Sequence, residues 1–332
     1  KEYFRETEFH FFAAGIPSLG SLPHAFRLQK DVLDSGKVDL LFIEAAVNDR
    51  VNGTDSLTQV RDLDGIVRQA KRSNPAMDIV LMEFADPDKN KDYNRGIQPV
   101  EVINHELVAS HYRLPSINLA KEVPDKLKNN EFSWDDDFKD LHPSPFGQEL
   151  YFENIKSLLQ AARVKYDAQT SSLTESKALP KPLNKFSFVD GSYYPLTRAK
   201  WDNNWKFDKD WTPQDHLDTR AGFVHVPILS ADKPGASLTV TFKGTAFGLA
   251  ILSGADAGMI TWSIDNSPPK TVDLYTEWSS MLHLPWYILL DGSLADKQHT
   301  LKLTIADNKN AKSNGNACRV FTFFKNGKEK IR

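Results

Sequence analysis

His142, in "DLHPSPFG" (residues 140–147), stands between an acidic run and the start of an amphipathic stretch, where an imidazole can take up and return a proton. Asp135, Asp136, Asp137 and Asp140 precede it and can supply the carboxylate that orients the ring and stabilises its protonated form. Taken alone, a loop histidine before a proline is more often a surface or structural residue than a catalytic one, and much of the acidic run reads equally as a solvated face. Asn48 and Asp49 follow the apolar run "LLFIEAAV". An Asn amide there can donate to a developing oxyanion, although the same pair can simply end a strand in a turn. The Gly-containing stretch "AAGIPSLGS" (residues 13–21) follows a second apolar run, "FHFF", and can add a backbone N–H. A base and oxyanion donors are what acyl transfer requires.

Other chemistries find less support. The nine histidines include no HxH or HExxH, and His105 and His111 are six apart, off a common helical face. No phosphate loop or Gly-rich dinucleotide fingerprint occurs, so neither metal nor nucleotide cofactor is expected. The single cysteine, Cys318 in "NACRVFTFF", excludes an intramolecular disulfide or a Cys-based zinc cluster and reads as a buried small apolar residue. A hydrophobic content of 40%, a charged content of 26% and a net charge of −3 give no broad field to attract nucleic acid or an anionic membrane. No run approaches the roughly 18 to 20 apolar residues of a bilayer span, so no membrane insertion is expected, and no signal pattern is visible at the N-terminus.

The elements that must position these residues follow two periodicities. At 332 residues the length suggests two domains. From residue 38 to about 164, short apolar runs alternate with helical patterns. "VDLLFIEAAV" reads as a strand covered on both faces. "SLTQVRDLDGIVRQAKRSN" reads as a helix with Ser56 as its cap and Leu57, Val60, Leu63, Ile66 and Val67 as its apolar stripe. "MDIVLMEFA" is the next strand, "VEVINHELVASHYR" a helix, "PSINLA" a short strand, and Gln148 to Val164 the last helix, an order that implies a mostly parallel sheet. Residues 166–184 read as a linker. Beyond it the pattern turns to period two, in "AGFVHVPIL", "SLTVTFKGTAFGLAIL", "GMITWSID", "KTVDLY", "WYILL", "HTLKLTIA" and "CRVFTFF", which predicts an all-β sandwich or jelly roll over 185–332.

The three polar segments resemble, in order and spacing, three conserved blocks of the SGNH (GDSL-type) hydrolases, and the resemblance covers roughly residues 1–165. "AAGIPSLGS" is similar to the second block, "EAAVND" to the third and "DLHPSPFGQELY" to the last. The resemblance implies a flavodoxin-like α/β/α sandwich with a parallel sheet and a serine esterase mechanism. It assigns Asn48 and a second-block N–H to the oxyanion hole and His142 to the base. For that N–H both Ser18 and Gly20 qualify, with Gly20 preferred because it tolerates the tighter turn. Asp49 and Ser21, beside these donors, are candidates for substrate contact.

The sequence departs from the family in three places. Ala46 stands where the third block has glycine, and Lys139 stands three residues before His142, where the acid is expected, leaving Asp140 and then Asp137 as substitutes or a Ser-His dyad without either. No Gly-Asp-Ser block precedes "AAGIPSLGS"; the reversed "DGS" at 190–192 and 291–293 lies in the β half. Three accounts fit: the chain is a fragment of a longer protein, another chain supplies the serine, or the nucleophile is lost. The fragment is the expectation, because a sheet without its central strand leaves "LLFIEAAV" on an open edge. As given, the chain is expected to be inactive.

The β half resembles jelly-roll accessory modules of carbohydrate esterases and glycoside hydrolases. Trp205 and Trp278, set among polar residues, are its candidates for stacking on sugar rings. The implied substrate is an acylated carbohydrate, an acetyl ester by preference, met outside the cytoplasm in a secreted or periplasmic setting. A non-catalytic carbohydrate-binding protein with a degenerate hydrolase half is the alternative.

Overall fold

The computed structural model describes residues 4, 5, 7–168 and 178–328. In the first half, β1 (Leu40–Glu44), β2 (Asp78–Glu83) and β3 (Ser116–Asn118) form a parallel sheet in that order, with Leu40 opposite Asp78 and Leu81 opposite Ser116. Around them run α1 (Ser21–Asp31), α2 (Ala46–Val51), α3 (Ser56–Ser73), α4 (Pro87–Asn94), α5 (Val100–Tyr112), α6 (Leu119–Lys128) and α7 (Pro145–Ala168). Strand β2 is buried on both faces. Ile79 and Leu81 meet α1, α3 and α5 through Phe26, Leu63, Ile66 and Val108, while Val80 and Met82 meet α6 and α7 through Val123 and Tyr151. The period-two alternation of side chains thus divides one apolar run between two helical layers.

Several expectations are revised. "FHFF" is not a strand: no element pairs with it among the described residues, and Phe11 and Phe12 are exposed. Strand β1 pairs with β2 alone, and its second edge is open among the described residues. Strand β1 ends at Glu44, so Asn48 and Asp49 lie in the short helix α2 rather than in a turn. Asp55, not Ser56, caps α3, its side chain accepting from the Thr58 N–H at 3.0 Å, and Ser56 instead donates to Asn104. Leu57 is exposed. Helices α4 and α6 were not expected; Asp86 caps the first, with Pro87 in its first turn, and Asn118 caps the second.

The second half contains two packed sheets. One runs β6 (Lys206–Trp211), β8 (Val226–Ala231), β15 (Cys318–Asn326), β10 (Ala246–Ser253), β13 (Leu282–Asp291), β7 (Asp218–Thr219), with β4 (Gly191–Tyr194) also paired to β15. The other runs β12 (Lys270–Asp273), β11 (Met259–Ile264), β14 (Lys297–Ile305), β9 (Ser237–Gly244), β5 (Ala199–Trp201). Phe247, Leu249 and Ile251 of β10 meet Val240 and Phe242 of β9 and Leu301 and Leu303 of β14 in the core between them.

The opposite face of β10 belongs to another core. Ala246 and Ala250, with Phe324, Tyr287 and Phe188, pack against Phe26 of α1 and Ile66 of α3. The Phe26 ring lies 4.5 Å from Phe324 and 4.9 Å from Phe188, centroid to centroid. The larger β-sheet is therefore covered on one side by its partner sheet and on the other by helices of the first half. Part of the expected linker, 166–184, is docked as well: the Pro180 carbonyl accepts from Arg68, the Lys181 carbonyl bonds His111, and the Leu183 N–H donates to Asp64. Residues 169–177 of that linker lie outside the described residues.

Candidate active site

The carboxyl ends of β1 and β2 converge on Glu44 and Glu83, and the loops beyond them carry the expected chemistry. Helix α2 starts directly after β1, with the Glu44 carboxylate accepting the Val47 N–H at 3.1 Å. Arg50 ties α2 to Asp92 of α4 at 2.7 Å and to Glu101 of α5 at 3.5 Å, so Asn48 sits on a short but anchored helix.

The second block lies against the same helix. Gly20 is the N-cap of α1 and has no side chain to satisfy the helix's first N–H groups; Asp49 of α2 does so instead, accepting the Ser21 N–H at 2.8 Å. A Cβ on Gly20 would overlap the Asp49 carboxylate, which is why glycine is required here. The Asn52 amide donates to the Ser18 carbonyl at 3.0 Å and closes the second contact. The residue after Gly20 is thus bonded to the residue after Asn48. Neither the Gly20 N–H nor the Asn48 side-chain amide has a hydrogen-bond partner among the described residues. Ser18, the other candidate donor, adopts a left-handed φ of 73°, and its hydroxyl accepts from Arg220 of the β half at 3.0 Å.

His142 lies on a loop fixed by aromatic packing. A single π-type turn, Trp134–Phe138, buries Phe138 against Tyr151, and Gly147 makes room for the Phe138 ring and Pro143. The Tyr151 hydroxyl accepts the Ala85 N–H at 3.0 Å, anchoring α7 just beyond the carboxyl end of β2. The His142 side chain is 88% exposed, its Nδ1 3.4 Å from Asp140 Oδ1, while the Asp140 carboxylate also accepts the His142 backbone N–H at 2.6 Å. Asp137 faces elsewhere, accepting the Ser133 N–H. The His142 loop is thus tied through Phe138 and Tyr151 to the segment just after β2, and no hydrogen bond joins His142 to Asn48 or Gly20 among the described residues.

Three expected contact residues are placed otherwise. Asp49 and Ser21 are fully buried and bonded to each other, so neither is presented to a substrate. Trp205 is 4% exposed and lies in the sandwich core, unable to present a ring face to sugar. Trp278 is half-buried, with its ring 5.8 Å from that of Trp286.

Beneath the loops lies an acidic core that the sequence did not announce. Glu83 is fully buried with both carboxyl oxygens unpartnered among the described residues, and burial pushes it up to about 9, helped by Glu106 and Glu44. Burial likewise raises Glu44 to about 7 and Asp49 to about 6. Lys89, fully buried, pairs with Asp86 and offsets part of this charge. The one available signal was local: Glu44 and Glu83 each close an apolar strand run, where a carboxylate has no solvent-facing explanation.

Residues 4–150 match the GDSL-like lipase/acylhydrolase family. Among solved structures, a two-domain esterase active on acetylated mannans shares 18% identity and a TM-score of 0.74 with the chain, over 99% of this chain and 84% of that one. A second, co-crystallised with mannopentaose, gives 18% identity and 0.73 over 100% and 83%. These likenesses establish the two-part fold. No curated protein matches the chain.

Proposed function

From a chain whose residues 4–150 hold a GDSL-like lipase/acylhydrolase domain, we propose a carbohydrate esterase that removes acyl groups, acetyl by preference, through an acyl-enzyme. The observation that carries this reading is the pairing of two unpartnered donors, the Gly20 N–H and the Asn48 amide, on segments bonded through Ser21 and Asp49 at the carboxyl end of the sheet. Donor groups that the protein leaves unused are available to a ligand, and an oxyanion is a group that uses them. The nucleophile is a serine on a strand outside this sequence, pairing along the open edge of β1.

In this mechanism the serine hydroxyl attacks the ester carbonyl while its proton passes to His142, held in orientation by Asp140. The tetrahedral oxyanion takes hydrogen bonds from Gly20 and Asn48. His142 then protonates the departing sugar oxygen, and water, deprotonated by the same imidazole, releases acetate. The carbohydrate substrate is supported by the likeness in fold to a mannan esterase and by the β half fused to the hydrolase half. A polymeric substrate of this kind is in keeping with a secreted or periplasmic protein.

The full-length natural protein is the material for the test. It is expected to release acetate from acetylated mannan and to hydrolyse a short-chain aryl acetate, with His142→Ala reducing kcat by about 10^3-fold or more while the fold is retained. The 332-residue chain by itself is expected to be inactive. Glycan binding by the full-length protein, with no hydrolysis of any acetylated substrate, would replace this reading with that of a binding protein.

A further inference from the structure

The Ser21 hydroxyl lies 3.0 Å from Asp49 Oδ1 and 2.9 Å from Asp62 Oδ2, and all three residues are fully buried. A hydroxyl has one proton to donate. Were both carboxyls ionised, one of these contacts would set a lone pair against a buried carboxylate with no hydrogen between them. We infer that Asp49 and Asp62 share one proton through Ser21, and that Asp62 is thereby a positioning residue holding the two oxyanion donors in register. The catalytic half of this statement rests on the function proposed above; the proton does not.

The proton belongs on Asp62. Asp49 already accepts the Ser21 N–H at the positive end of α1, an interaction that favours the charged form. Asp62 accepts no backbone N–H; each carboxyl has its second oxygen buried without a partner among the described residues, so the Ser21 N–H is what tells the two apart. With Asp62 donating to Ser21 Oγ, and Ser21 donating to Asp49, every hydrogen in the chain has one acceptor. The surrounding charges agree. Glu101 of α5 bears on Asp49, while Asp55 and Asp49 itself bear on Asp62, all disfavouring a second negative charge. Arg61 opposes them weakly, its guanidinium turned to Ser293 and the Phe186 ring. Burial raises Asp62 well above the ordinary carboxylate range.

The geometry gives this proton a task. Ser21 opens α1, Asp49 lies in α2 and Asp62 in α3, so the chain of hydrogen bonds joins three helices at the point where Gly20 and Asn48 emerge. Loss of the proton leaves two buried negative charges on one serine and pushes the helices carrying the donors apart.

The sign of the pH effect follows. The folded state holds a proton that the unfolded chain releases near the ordinary aspartate range, so the stabilisation is complete below about pH 4 and declines as pH rises past it. Asp62→Asn replaces the O–H donor by an amide N–H and needs no proton. Thermal melts of the chain at pH 5 and pH 9 are expected to show a smaller fall in Tm for Asp62→Asn than for wild type, and a lowered Tm at both pH values for Asp62→Ala. Should Asp62→Asn fail to fold, the carboxyl carbon resonance of Asp62 in labelled wild-type protein supplies the same information, expected in its protonated position at pH 7. An unchanged pH slope in Asp62→Asn, or an ionised Asp62 resonance, overturns the shared proton. In the full-length enzyme, Asp62→Ala is expected to reduce kcat at least tenfold with KM little changed, and Asp62→Asn to restore it and extend activity to higher pH. Full kcat in Asp62→Ala overturns the positioning role. A full-length protein with no esterase activity in any form overturns the proposed function instead, and leaves the melts to decide the proton.

Discussion

Gly20 and Glu83 show how much single residues carry at the carboxyl end of this sheet. A methyl group at Gly20 meets the Asp49 carboxylate, so Gly20→Ala must displace α1 or α2 and with it one of the two donors. The expected cost is about 1 to 3 kcal/mol of stability. A fall in kcat of more than tenfold is expected in the full-length enzyme, read by aryl acetate hydrolysis alongside a thermal melt. Glu83 acts on stability alone. Its carboxyl is raised to about 9, so the folded state keeps a proton that the unfolded chain loses near pH 4.5. The associated stability is complete below pH 4.5 and is lost as pH rises through about 9. Glu83→Gln, neutral throughout, is expected to lie close to wild type at pH 5 and to exceed it by several kcal/mol at pH 9, since each pH unit between the two pKa values costs wild type about 1.4 kcal/mol. Denaturant titrations at the two pH values give that difference, and parallel losses in both proteins would show that Glu83 is not the group responsible.

At the scale of elements, the loop of His142 is held by a helix, and that helix by Tyr151 among its contacts. Tyr151 of α7 accepts the Ala85 N–H, while its ring packs with Phe84 at 4.8 Å and with Phe138 at 5.8 Å. Tyr151→Phe keeps the packing and leaves a buried N–H unpaired, at an expected cost of 1 to about 3 kcal/mol. Because the ring still anchors Phe138, kcat is expected to fall only severalfold; a loss as large as that of His142→Ala would mean that the hydroxyl touches the chemistry. The same elements show what the sequence discloses. Strands β1 and β2 and helices α3, α5 and α7 announce themselves by apolar periodicity, and the segments around Gly20, Asn48 and His142 by their order along the chain. Helix α4 was missed: Asp86-Pro87 offers a cap followed by a first-turn proline, but the charged body of the helix masks any apolar stripe. Asp62 was not legible, since a carboxylate in the middle of α3 looks like a solvated face until Ser21 is seen against it. Trp205 misled in the opposite direction, because polar neighbours in sequence say little about which way a ring points in a sandwich.

For the molecule as a whole, the question is whether its halves are separable. Strand β10, "AFGLAILS", is buried at every position, whereas the neighbouring β9 alternates between buried and exposed. An unbroken apolar run inside an antiparallel sheet means that both faces are covered, and here the second cover is α1 and α3. The residues just after the linker contribute as well, with the Phe188 ring tilted against Phe26 and its carbonyl accepting from Gln69 at 2.7 Å. A β half prepared alone would expose Phe324, Tyr287, Ala246 and Ala250 as one patch, a surface prone to association. Calorimetry of the whole chain is therefore expected to give one cooperative transition. Phe324→Ala, which removes the ring between Phe26 and Tyr287, is expected to lower it by about 3 to 5 kcal/mol as a unit. Two resolved transitions, with only the β half destabilised by the substitution, would show that the halves fold independently. In that case the Arg220 contact to Ser18 would be a loose contact between domains. If the transition is single, Arg220 is a fixed part of the loop that carries Gly20, and the β half helps set the geometry of the oxyanion donors without touching them.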